Sequence, residues 1–83
     1  MPRTFLLFAT FALLLSGNQA FADAKSDCIN GVAMIKGELK KEHPPSVLEQ
    51  LRKALNDAEL EVTETDWSEC LDYISAARKA LGR

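Results

Sequence analysis

Few side chains in this 83-residue sequence can do chemistry: two cysteines, Cys28 and Cys70, a single histidine, His43, and a crowded run of carboxylates. Redox thiols usually stand as Cys-x-x-Cys, a spacing that lowers the pKa of the attacking sulfur. Cys28 and Cys70 are far apart, so they read as a structural cystine. His43 precedes Pro44 and Pro45. A general base or metal ligand needs partners, and no second histidine exists to build a triad or a His-rich metal site. His43 therefore reads as a surface or turn-capping residue. Ser26, Ser68 and Ser75 lie outside any nucleophile-elbow context. No enzyme activity, cofactor or metal is expected.

The carboxylates are the more informative group. Asp57, Glu59, Glu61, Glu64, Asp66, Glu69 and Asp72 all fall between Lys53 and Arg78, with no basic residue among them. Some suit the N-terminal end of a helix, where the dipole favours anions; those at the end of the preceding helix oppose its dipole. Asp57, Glu59 and Glu61 alternate as in a calcium loop. Val62, however, stands where an EF-hand needs Gly, and Ser68 where it needs the bidentate Glu. Two readings remain, a solvated acidic turn and a docking surface for a basic protein partner. Tyr73 lies off the centre of its helix's apolar face, so a half-exposed aromatic beside acids is expected there. The candidate partner-binding set is Glu59, Glu61, Glu64, Asp66 and Tyr73.

The start of the chain gives a destination. Met1–Thr4 carries one positive charge, Phe5–Leu15 is an uncharged apolar run, and Ala20-Phe21-Ala22 supplies small residues two apart. These are the three parts of a secretory signal peptide. The apolar run is about half of the ~20 residues a spanning helix needs. Cleavage is expected after Ala22, with no stable membrane insertion afterwards and a periplasmic or secreted product. That product, residues 23–83, holds all twelve acids and nine of the ten basic residues. Its charge of about −3 gives no reason to expect nucleic acid as a partner.

These groups must be positioned by helices. Cys28, Val32, Ile35 and Leu39 recur at helical spacing, as do Val47, Leu48, Leu51, Ala54, Leu55 and Ala58, and again Cys70, Ile74, Ala77 and Leu81. The expected helices cover about 24–42, 46–59 and 65–81. Pro44-Pro45 should end the first. Ser46 and Glu49 have capping-box spacing for the second. Thr65 is the expected N-cap of the third and Gly82 its stop. Gly31, near a stripe edge, offers close approach to a neighbouring helix, whereas Met34 points away from the stripe. No segment alternates as a strand would. The fold class expected is all-α, a small antiparallel three-helix bundle stapled by one disulfide. An up-down-up path puts Cys28 and Cys70 at one end, within cystine reach.

Function is read by elimination. The first expectation is a small exported helical binding module (an inhibitor, immunity factor or accessory subunit) acting by protein–protein docking as a monomer or weak dimer. In layout alone, the chain also resembles the HdeA type of acid-resistance chaperone, which is exported, small and all-helical with a single cystine. That resemblance implies the alternative, a periplasmic acid-stress chaperone that unfolds partially at low pH.

Overall fold

The apolar stripes converge on one core. The computed structural model describes residues 23–83, so the expected leader, 1–22, lies outside the described residues. Among these residues three helices form: α1 over 23–38, α2 over Pro45–Thr63 and α3 over Trp67–Ala80. They pack as a compact three-helix bundle around Cys28, Ile35, Leu51, Ala54, Ala58, Cys70, Ile74 and Ala77, all buried. Val32, Leu39, Val47, Leu55, Val62, Trp67 and Leu81 close the margins, as does Met34, which packs against the core rather than pointing away from it. No described helix is long and apolar enough to cross a membrane.

Cys28 and Cys70 form the expected disulfide, with 5.8 Å between their Cα atoms. It ties the early part of α1 to the first turn of α3. A core this small gives limited stability by itself. Closing a loop of this length adds roughly 4 kcal/mol on chain-entropy reasoning.

The helix ends depart from expectation for local reasons. α1 stops at 38 rather than 42. The Lys40 and Lys41 N–H groups turn back to the carbonyls of Gly37 and Glu38, at 3.2 and 3.1 Å, and the chain peels away toward the prolines. The prolines also start α2. Pro44 is its N-cap, and Pro45 fills the first helical position, where a missing N–H costs nothing. The Pro44 carbonyl accepts from the Val47 and Leu48 N–H groups at 3.0 and 3.1 Å. Ser46 therefore falls one residue inside the helix, and no side chain caps it.

α2 runs four residues past its expected end, because Glu61 and Val62 continue the stripe of Leu51, Ala54 and Ala58 into the core. Its stop is a Schellman turn. The Asp66 N–H donates to the Glu61 carbonyl at 2.9 Å and the Thr65 N–H to that of Val62 at 3.1 Å. Thr65 takes the left-handed position with φ 56°, where glycine is usual. Asp66, not Thr65, is then the N-cap of α3: its Oδ1 accepts from the Glu69 N–H at 3.0 Å. α3 ends in the same motif, with Gly82 at φ 78° and the Arg83 N–H donating to the Arg78 carbonyl at 2.9 Å.

Candidate functional site

Two charged residues interrupt the apolar stripes, and they mark opposite ends of the bundle. Glu38 continues the spacing of Cys28, Gly31 and Ile35 on α1, and Glu61 continues that of Leu51, Ala54 and Ala58 on α2. Both are buried, at 3% and 9% exposure. A buried charge is costly unless it is paired. Glu38 is paired; among the described residues Glu61 is not.

Glu38 sits where α1 ends. Lys41 Nζ lies 2.8 Å from its Oε2, Arg83 Nη2 3.0 Å from its Oε1, and His43 Nε2 3.8 Å from Oε1. The bond from Lys41 holds this carboxyl below the usual glutamate range against the opposing effect of burial; the charges of Lys41, Arg83 and His43 add to it. Arg83 reaches Glu38 because the Gly82 turn reverses the chain just beyond α3. His43 is thus half-buried against a carboxylate rather than a free surface residue. Its Nε2 has no hydrogen-bond partner. This cluster closes the bundle at the end away from the disulfide.

Glu61 lies at the disulfide end, linked through the Asp66 backbone to the first turn of α3. Burial pushes its carboxyl above the usual range; Glu64, Asp66, Glu69 and Asp57 push it further in the same direction. Tyr73 belongs to the same environment. Burial raises its phenol, and Asp57, Glu69, Glu61 and Asp72 raise it further. Its ring borders a groove of about 290 Å³ between α2 and α3, lined also by Gln50, Lys53, Asp57 and Ala76, so a cation stands beside the acid there. Leu60, the most exposed large apolar residue among those described at 56%, stands on α2 beside Glu61.

Of the residues singled out in the sequence, Glu61, Glu64, Asp66 and Tyr73 share this acidic end. Glu59 does not join them. It faces α1, where Lys36 Nζ lies 3.5 Å from its Oε2, beside a second groove lined by Ile29, Val32 and Val62. Asp66 has one oxygen engaged as the α3 cap. Asp57 and Glu69, named in the acidic run but not in the candidate partner-binding set, also raise the Glu61 carboxyl. Trp67 packs at the edge of the core, with Lys25 Nζ 5.6 Å from its ring centroid, a cation–π contact. The Glu38 cluster was not anticipated either; the available signal was a glutamate occupying an apolar-stripe position.

No protein-family model matches the chain, and neither a curated protein nor a solved structure matches it.

Proposed function

We propose that this chain is a small exported docking module that acts by binding a protein partner through the acidic end of the bundle. One observation carries the reading: Glu61, Asp57, Glu64, Asp66 and Glu69 are gathered at the stapled end of a rigid scaffold, and no cation among the described residues balances Glu61. Such an arrangement opposes folding in isolation and is relieved by a basic surface. Export is supported by the leader-like start and by a cystine, which persists in oxidising compartments. The test compares capture from the cell envelope by the wild-type protein and by a variant with Glu64, Glu69 and Asp57 neutralised. A discrete protein held by the first and lost by the second supports the reading. Identical recovery on both refutes it. The intact mass of protein from its host should correspond to residues 23–83 with both sulfurs oxidised.

A second reading, protection of other proteins in acid, draws on the Glu38 cluster. Protonating that carboxyl would release Lys41, His43 and Arg83 together and free apolar helix faces at the end the disulfide does not hold. Suppression of client aggregation at low pH, absent at neutral pH, would favour it over docking.

A further inference from the structure

Ile29 and Leu60 are the exposed large apolar residues among those described, at 47% and 56%. Ile29 differs from Leu60 in its surroundings, because it stands between two hollows. One, of about 320 Å³, is the groove between α1 and α2, where Val32, Val62 and Thr63 line the walls with Lys36 and Glu59. The other, of about 270 Å³, lies along α1 among Lys25, Ser26 and Asn30. No charged residue occurs on α1 from Cys28 to Ile35. The large aliphatic side chains that the bundle encloses fully are Ile35, Leu51 and Ile74. Val32 and Val62 are only partly covered, so the chain's own packing leaves this apolar face unfinished. Lys36 stands two turns along α1 from Ile29. Its Nζ lies 3.5 Å from Glu59 Oε2 across the groove, and both side chains are about half exposed. A pair so exposed contributes little within one chain, and both groups keep hydrogen-bonding capacity to spare.

We propose that a second copy of the chain docks on this face, forming a two-fold dimer whose axis runs along the α1–α2 groove. Such an axis lays α1 of each protomer over α2 of its partner at the same height. Lys36 then faces the partner's Glu59, and Glu59 faces the partner's Lys36. The four charges alternate in sign around the axis. Ile29 meets the partner's Val62 and Thr63, so each Ile29 side chain fills the other's groove. The charges are what select a copy over another occupant. An acidic or a basic partner would satisfy one of Lys36 and Glu59 and repel the other, whereas the same surface turned about a two-fold satisfies both. Two hollows and one charge pair make a small interface, of the transient rather than the obligate kind, so association rises with concentration. The dimer leaves Tyr73 and the α2–α3 groove uncovered, and it does not depend on the docking reading above.

The test is sedimentation equilibrium of the oxidised protein, as purified from its host, from micromolar to millimolar concentration at low ionic strength. Wild type should form a dimer and no larger species, because a two-fold contact closes on itself. Ile29→Glu should weaken the dimer by about tenfold or more. Leu60→Glu, the same change at the other exposed apolar residue, should alter it by less than about twofold. Lys36→Glu and Glu59→Lys should each weaken self-association by about threefold or more. Mixing those two variants should restore a dimer, because every charge then faces its opposite. Circular dichroism reports whether each variant is folded. A wild-type protein that stays monomeric throughout overturns the inference. So does dissociation by Leu60→Glu rather than by Ile29→Glu, or a mixture of the two charge variants no more associated than either alone.

Discussion

Gly31 on α1 lies so close to Ile74 on α3 that a methyl group added to the glycine would sit 2.6 Å from Ile74 Cγ2 and 2.7 Å from Cγ1. Ile74 is fully buried, so it cannot swing aside. The helices joined by the disulfide therefore also meet backbone to side chain one turn further along. Gly31→Ala should lose about 1–3 kcal/mol from overpacking, more than the roughly 1 kcal/mol of helix propensity it gains. Gly37→Ala meets nothing within 4 Å and should be neutral or stabilising by up to about 1 kcal/mol. Urea unfolding of the two variants, side by side, checks the contrast.

Thr65 holds a left-handed conformation without being glycine. The Schellman turn requires it, because the Asp66 N–H must reach back to the Glu61 carbonyl. Thr65→Gly should stabilise the bundle by about 1 kcal/mol. A lower urea midpoint in that variant would show that the Thr65 side chain matters more than the strain it imposes.

Glu38 and Glu61 should shape the pH dependence of stability in opposite senses. The Glu38 carboxyl is held low in the folded state, so its contribution is complete above the ordinary glutamate range and is lost as pH falls through the depressed value. The Glu61 carboxyl is held high. Its contribution is most favourable below the ordinary range and is lost as pH rises through the raised value. Glu38→Gln should therefore lower Tm at neutral pH, and Glu61→Gln should raise it. Both differences should shrink in acid, which thermal unfolding followed by circular dichroism across that range would register.

The Tyr73 phenol should ionise above the usual tyrosine range, with burial as the main cause and the surrounding carboxylates adding to it. An ultraviolet titration would record this. Glu61→Gln should bring the value part of the way down, since burial remains. An unchanged value in the variant would show that Glu61 does not act on the ring.

Much of this was legible in the sequence, for a simple reason. Cys70, Ile74, Ala77 and Leu81 state a helix face without needing any other part of the chain, and two cysteines allow a single pairing. Gly31 could be read too, because a glycine beside a stripe costs stability unless a neighbour needs the space. What escaped depended on distant partners. Glu38 is held first by Lys41, three residues on, but its cluster is completed only when Arg83 arrives around the Gly82 turn. Ser46 has the right spacing for a capping box, yet two prolines before it start the helix one residue earlier. The acids after Asp57 oppose the dipole of α2, yet the helix runs on to Thr63, because burial of Glu61 and packing of Val62 outweigh that surface effect. Asp57 and Glu69 joined the site only once α2 and α3 were placed side by side.

On the docking reading, the working surface is the acidic end around Tyr73. It is tested most directly by placing a photo-cross-linking amino acid at position 73 of the full chain, with the same group at exposed position 42 as control, and irradiating cells of the native host. A discrete covalent adduct is expected from position 73 and none from position 42. No adduct from position 73, or the same adducts from both positions, would contradict it.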